Sequence, residues 1–330
     1  MQTMTNLQRQ CSEEYAVTCG STPGRSSHPI VLSSPAKLNI FLEVLGKRPD
    51  GYHELETVMV RTQFCDQLTF ERTDSPGITL SLSDATSADI RSRMPLDKNN
   101  LIVKAALALQ VATRNLAPEA MGARIILHKR VPPESGLGGG SSNAATTLLG
   151  CRQLWDLDVS DTQLHSIAAS LGSDINFLLS GAAAAVCRGR GEIIQPIKLA
   201  KELFFVALRP RTGNSTPAVF RQTKISAQPN SSVELVHAVS HGARNLSPWI
   251  FNRLTDAASQ LNPAMQTLLN RIPQVIRRPA FMSGSGSTVY VVAAGRSDAK
   301  VVAEQIKQAF RLPVWLLECP MDRWLKPHSA

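Results

Sequence analysis

Pro132-Pro133-Glu134-Ser135-Gly136-Leu137-Gly138-Gly139-Gly140-Ser141-Ser142-Asn143-Ala144-Ala145 is a glycine-rich turn that runs straight into a helix-forming stretch. Glycines without a Cβ let the backbone turn with its N–H groups pointing inward and keep side chains out of the way. The Ser141 and Ser142 hydroxyls and the unpaired N–H groups of the first helical turn then meet an anion at the positive end of the helix dipole. The stretch therefore predicts a loop that holds phosphate.

What the loop lacks narrows its type. A Walker A loop ends in Gly-Lys-Ser/Thr, and no lysine stands at that place here. A dinucleotide fingerprint places Gly-x-Gly directly after its first strand, with an acid about 20 residues further on. Gly136 and Gly138 have the opening spacing, and Asp156 or Asp158 could serve as the acid. Ser141 nevertheless occupies the third glycine's place, and Pro132–Ser135 separates the glycines from the strand expected at Ala123–Arg130. Dinucleotide binding remains the lesser alternative.

The composition sets outer bounds. A chain of 330 residues with 43% hydrophobic content is long enough for two domains, and no uninterrupted apolar run of membrane length is present. The net charge of +9 suits anionic ligands. Its lysines and arginines are scattered without interleaved aromatics, so nucleic acid is not an expected partner. Cys11, Cys19, Cys65, Cys151, Cys187 and Cys319 lie far apart with no Cys-x-x-Cys pair, which fits reduced thiols in the cytoplasm. His237 and His241 have i, i+4 spacing but no third ligand nearby, and they read as polar residues on a solvated segment. Residues 1–30 are polar, lack the apolar core of a secretory signal, and read as a mobile tail.

Strand and helix patterns interleave. Leu38, Ile40, Leu42 and Val44 alternate as on a half-buried strand, which places Lys37, Asn39, Phe41 and Glu43 on the other face. Asp50-Gly51 predicts a hairpin, with Glu54–Thr62 returning and further strands at Gln67–Arg72 and Ile78–Leu82. Helices are expected at Asn100–Thr113, Ser141–Trp155 and Asp161–Leu171, and a strand at Ala182–Arg188. The second half opens near Pro196, with strands at Leu203–Leu208, Pro279–Ser283 and Thr288–Ala293 and a helix at Ala299–Phe310. Such a mixture argues for α+β rather than a doubly wound parallel sheet.

Three ordered stretches resemble the signatures of the GHMP small-molecule kinases: Ser34–Leu42, the loop at Pro132–Ala145, and Met282–Thr288. Arg48–Leu55 and Leu171–Phe177 resemble, within that family, the branch whose acceptor is an alcohol bearing a cytidine diphosphate group. The resemblance covers roughly Val31 to Leu317. It implies an α+β, two-domain GHMP kinase fold, with an ATP-binding domain over 31–195, a second domain over 196–325 and the active site in the cleft between them. It further implies ATP, with Mg²⁺, as the phosphoryl donor.

Residue roles follow from the same resemblance. Asp174 matches the catalytic base, with Lys37 beside the acceptor hydroxyl; read without it, Asp174 or Ser173 would simply cap a helix. The ATP site would comprise Pro132, Pro133, Glu134, Ser135, Gly136, Leu137, Gly138, Gly139, Gly140, Ser141 and Ser142, with Asn100 and Leu101 against the adenine. Ser141 or Ser142 would offer a hydroxyl to Mg²⁺. Asn39, Tyr52, His53 and Phe220 would hold the acceptor, with Tyr52 stacked on one face of the cytosine, Phe220 closing the other and His53 at its edge. Met59 stands where an aromatic is common in the family, so packing behind this pocket is expected to differ. Other GHMP kinases and a noncatalytic nucleotide sensor are the remaining alternatives.

Overall fold

The computed structural model describes residues 28–115 and 121–321. The expected tail therefore lies, up to residue 27, outside the described residues. The strands are β1 Ile30–Lys47, β2 His53–Thr73, β3 Ile78–Leu82, β4 Gly122–His128, β5 Ala184–Gly189, β6 Ile193–Ile197, β7 Leu203–Leu208, β8 Phe251–Asn252, β9 Phe281–Met282, β10 Val289–Ala293 and β11 Val314–Cys319. The helices are α1 Ala88–Arg91, α2 Leu101–Thr113, α3 Gly139–Leu154, α4 Asp161–Leu171, α5 Ile175–Leu179, α6 Thr216–Gln222, α7 Val233–Ser240, α8 Thr255–Leu261, α9 Pro263–Ile276 and α10 Arg296–Phe310.

Two sheets pack between two layers of helices. The first sheet runs β3-β4-β2-β1-β8, with β5 pairing β2 and β6 pairing β5; the second runs β11-β7-β10-β9. One apolar core joins α2, α3, α4 and α5 to the first sheet through residues such as Leu109, Leu148, Leu164, Phe177, Phe70 and Ile125. A second core fills the space between the sheets, with Ile40, Val60, Phe205 and Tyr290 in contact. The third packs α9 and α10 on the second sheet through Leu268, Ile272, Val302 and Ile306. This is the expected α+β class.

The hairpin forms where Asp50-Gly51 predicts it: Gly51 takes φ +84°, and the Arg48 N–H donates to the Tyr52 carbonyl at 2.8 Å. Its strands run longer than the sequence suggests. Glu54–Thr62 and Gln67–Arg72 are one strand, β2, because β1 pairs with it continuously from Ile30–Phe70 to Lys47–His53. The simple face alternation also fails at Phe41. Bulges between Pro35 and Lys37 and between Asn39 and Phe41 shift the register, so Phe41 joins Leu38 and Ile40 in the core between the sheets. Glu43 is fully buried too, and it takes the Arg253 guanidinium at 2.7 and 2.8 Å instead of facing a site.

The second half contributes a strand to the first sheet, since β8 pairs in parallel with β1 through Phe41 and Leu42. Pro196 and Ile197 likewise lie in β6 of that sheet, and the second sheet starts with β7. This interlocking brings the second half against the strand that carries Lys37 and Asn39.

Candidate active site

The β1 bulges aim Lys37 and Asn39 into a cleft of about 890 Å³ between the two halves. Both side chains are nearly excluded from solvent, at 3% exposure, so a solvated strand face does not describe them. The Lys37 backbone N–H donates to the Leu137 carbonyl at 2.9 Å, which ties the strand to the glycine loop. Its side chain then passes between two glycines. A Cβ on Gly138 would lie 2.7 Å from Lys37 Cγ, and one on Gly284 would lie 3.4 Å from Lys37 Nζ.

Asp174 meets this lysine from the far side of the fold, with Oδ2 3.1 Å from Lys37 Nζ. It occupies the N-cap position of α5, yet its side chain makes no capping bond. The carboxylate is spent on the lysine instead. At the other end of α5, the buried Arg61 donates from Nη2 to the Phe177 carbonyl at 3.2 Å and the Leu178 carbonyl at 2.9 Å. Burial pushes the Arg61 guanidinium down to about 10, a range that still leaves it charged at neutral pH. A cation against the carbonyl end of a short helix fixes that helix, and with it the aspartate at its start.

Lys37 Nζ also donates to Asn39 Oδ1 at 2.5 Å, and Asn39 Nδ2 donates to Thr57 Oγ1 at 2.9 Å. The lysine thus bridges an acid and an amide that both face the cleft. Cys187 lies near the pair, but burial pushes its thiol up, aided by the Asp174 charge, so it stays protonated and is no competing nucleophile.

The glycine loop forms the opposite wall. Gly136 and Gly138 take φ +79° and +67°, and Gly138, in a left-handed conformation, starts α3 with no side-chain cap. The helix begins at Gly139, two residues earlier than expected, so its uncapped first turn is Gly139, Gly140 and Ser141, all of which line the cleft. Pro132, Pro133, Glu134, Ser135, Gly136 and Leu101 line it as well.

Three residues expected at the ATP site face elsewhere. Leu137 is buried in the core between the sheets, one position out of phase with the glycines. Ser142 is wholly buried on the back of α3, where it accepts a hydrogen bond from Ser34 Oγ at 2.9 Å. Of the two serines, Ser141 alone lines the cleft, so only it is placed to meet a cation there. Asn100 caps α2 by accepting the Ile102 N–H at 2.9 Å, and Nδ2 donates to the Pro95 carbonyl, which occupies its amide.

Beneath the loop sits a buried polar network that sequence reasoning missed. Asp66, fully buried, accepts the Lys129 ammonium and Asn143 Nδ2 on one oxygen and the Arg130 and Val131 N–H groups on the other. Burial pushes the Lys129 ammonium down while Asp66 opposes it. Replacing Asp66 with alanine leaves that cation unpaired. The expected loss is about 3–5 kcal/mol of folding stability, read as a lower urea midpoint at unchanged slope.

The residues expected to hold the acceptor lie at and around the hairpin end of the cleft. Tyr52 is 53% exposed and His53 half-buried, and both line the cleft. Desolvation, with the Lys47 charge, holds His53 below the usual histidine range, so its ring is neutral at pH 7 and can both donate and accept. Phe220 packs on His53, with ring centroids 5.2 Å apart and planes at 31°. It therefore backs the histidine, and it is Arg190 that lies over the Tyr52 ring. Met59 is fully buried in the helix-side core, opposite Asn39 in the sheet.

The third glycine loop joins the two walls. Ser283 Oγ donates to the Gly136 carbonyl at 3.0 Å and accepts the Asn39 N–H at 3.1 Å. Asn214 Nδ2 donates to the Ser285 carbonyl at 2.8 Å, and Thr216 Oγ1 lies 2.7 Å from Ser285 Oγ. Sequence reasoning also missed Thr57, Arg190 and Asn214 among the cleft residues, while Ser173 and Ser285 line it within stretches the sequence had marked. Arg190 stands in a tight turn between Gly189 and Gly191, both at positive φ. His237 and His241 stack on each other at 4.0 Å, both exposed, and among the described residues no cluster of three His, Cys, Asp or Glu could hold a metal.

The chain is similar to known proteins in both halves. Residues 100–189 match the model of the GHMP kinases N terminal domain, and residues 235–312 match that of the GHMP kinases C terminal. The fold and the matched domains define a GHMP kinase. A 4-diphosphocytidyl-2-C-methyl-D-erythritol kinase from Desulfotalea psychrophila is 35% identical over 79% of this chain and 84% of its own. One from Marinobacter nauticus is 36% identical over 83% of this chain and 89% of its own. A crystal structure of 4-(cytidine 5'-diphospho)-2C-methyl-D-erythritol kinase superposes with a TM-score of 0.71 at 31% identity, covering 88% of this chain and 99% of that one. A homoserine kinase from Cytophaga hutchinsonii shares the fold, with a TM-score of 0.66 at 15% identity over 93% of this chain and 98% of that one. The chain belongs to the 4-diphosphocytidyl-2-C-methyl-D-erythritol kinase family.

Proposed function

We propose that this protein transfers the γ-phosphoryl group of ATP to the 2-hydroxyl of 4-diphosphocytidyl-2-C-methyl-D-erythritol, in the non-mevalonate route to isoprenoid precursors. The observation that carries the reading is the Lys37–Asp174 pair, 3.1 Å apart, set in a cleft between a glycine-loop wall and a Tyr52-His53 wall. Relatives at 35–36% identity carry the same activity in their names.

The residues divide the work as follows. Asp174 accepts the proton of the acceptor hydroxyl, and Lys37, 3.1 Å away, holds the carboxylate in position and the oxygen aimed. The first-turn N–H groups of α3, at Gly139, Gly140 and Ser141, hold the phosphates. Much of the acceleration comes from alignment and from neutralising phosphate charge, since phosphoryl transfer asks for little covalent work from the protein. Mg²⁺ fits this wall in part. Ser141 and Glu134 line it and would hold the ion, which supplies charge neutralisation when bound together with the phosphates. Tyr52 offers a ring face to the cytosine, and neutral His53 its ring nitrogens to the base edge. The described residues contain no helix long and apolar enough to cross a membrane, and the wide spacing of the six cysteines, with no Cys-x-x-Cys pair, supports a cytoplasmic setting.

The test is a panel of alcohols assayed with ATP and Mg²⁺ by ADP release. 4-Diphosphocytidyl-2-C-methyl-D-erythritol is expected to be consumed, and homoserine and mevalonate left untouched. Turnover of either of those two in its place would remove the assignment.

A further inference from the structure

The cations lining the cleft are Lys37, Arg190 and Arg221, together with neutral-leaning His53. Lys37 is engaged by Asp174 and Asn39, on the reacting side. Arg190 stands apart from that chemistry. It sits in the turn between β5 and β6, flanked by Gly189 at φ +71° and Gly191 at φ +120°. The turn is pressed against the segment that carries the base, since a Cβ on Gly191 would lie 3.4 Å from Ser173 Cβ.

The Arg190 side chain is anchored at three points. Its Nη2 donates to the Ala169 carbonyl at 3.1 Å, in the last turn of α4. Its Nε lies 3.9 Å from Glu192, whose other oxygen accepts the Arg190 N–H at 2.6 Å. Its guanidinium carbon lies 4.8 Å from the Tyr52 ring centroid, well inside the range of a cation–π contact. A ring with a guanidinium on one face has one face left for a base. A guanidinium has five N–H donors; Nη2 gives one to Ala169 and Nε lies toward Glu192, while the side chain keeps 25% of its surface exposed at the cleft wall.

We infer that Arg190 is the residue that recognises the diphosphate of the acceptor while it props the ring on which the acceptor's base stacks. This rests on the function proposed above. The base lies on the uncovered face of Tyr52, and the phosphates one ribose away come within reach of the guanidinium donors. Arginine suits the task because its planar fork serves the aromatic face and phosphate oxygens together. The residue acts on binding and takes no part in the transfer step.

The test compares the full-length protein with Arg190→Met, which keeps much of the packing without the charge, and Arg190→Lys, which keeps the charge. Calorimetric titration with CDP and with cytidine, each with a nonhydrolysable ATP analogue saturating, separates diphosphate from base. Arg190→Met is expected to weaken CDP about ten-fold and cytidine about three-fold or less. Arg190→Lys is expected to regain most of the CDP affinity, with kcat and the KM for ATP unchanged in both. An Arg190→Met protein that binds CDP as tightly as wild type, or that loses CDP and cytidine equally, overturns the inference. So does a fall in kcat at unchanged acceptor KM. In each of those cases wild-type turnover of the diphosphocytidyl alcohol leaves the proposed function standing, whereas a wild-type protein that neither binds CDP nor consumes that alcohol removes both.

Discussion

An Asp174→Asn protein is expected to lose about 10²–10⁴ in kcat, the range for removing a positioned general base, with the KM for ATP and for the acceptor within about three-fold of wild type. The asparagine keeps the volume at the start of α5, and Arg61 still holds the helix by the Phe177 and Leu178 carbonyls. Lys37 keeps Asn39 as a partner, so the binding surface persists. What disappears is the carboxylate proposed to take the proton. Steady-state rates with both substrates saturating measure this directly. Turnover within about three-fold of wild type would show that positioning and charge neutralisation carry the reaction, and would strip Asp174 of the role of base.

That pair shows where sequence reading stops. The glycine loop announced itself because glycines in sequence must do something with their conformational freedom, and Gly136 and Gly138 do adopt positive φ. Asp50-Gly51 was equally legible, since the turn's chemistry is local. Lys37 and Asp174 are brought together because β1 and α5 both pack against α3, and no spacing rule spans such a separation; only resemblance linked them. The same holds for Asp66 under the loop, where one carboxylate serves Lys129, Arg130 and Val131 in the segment after β4 and Asn143 on α3.

Register explains the errors of detail. A single bulge after Asn39 turns Phe41 from the predicted polar face into the core, because each one-residue slip reverses the facing of everything beyond it. Ser142 failed for the analogous helical reason: α3 starts at Gly139, and one step of about 100° along it separates the cleft from the buried face. Helices α7 and α8 were invisible because they are only 8 and 7 residues long, too short for a periodic signal. Arg190 was hidden by its neighbours, for a turn residue between two glycines can point anywhere.

Gly136→Ala is expected to produce the other large loss, at least about 10² in kcat/KM for ATP, because displacements near 1 Å at a reacting centre have that effect. A Cβ there would lie 2.2 Å from the Ser283 carbonyl oxygen and 3.0 Å from that of Gly286. Both obstacles are backbone, so no side-chain rotation relieves them, and the φ of +79° adds about 1–3 kcal/mol of strain for any residue with a Cβ. The two glycine loops must part. Parting breaks the Ser283 Oγ bond to the Gly136 carbonyl and, with it, the Asn39 N–H bond to the same hydroxyl. The strand that presents Lys37 then loses its brace at the moment the phosphate wall shifts. Gly46→Ala is the control, since nothing lies within 4 Å of a Cβ at that position, and it should match wild type in both urea midpoint and rate. If Gly136→Ala kept wild-type kinetics with only a lowered midpoint, the contact between the loops would be a matter of stability alone, and the geometry of the phosphate wall would owe nothing to the third loop.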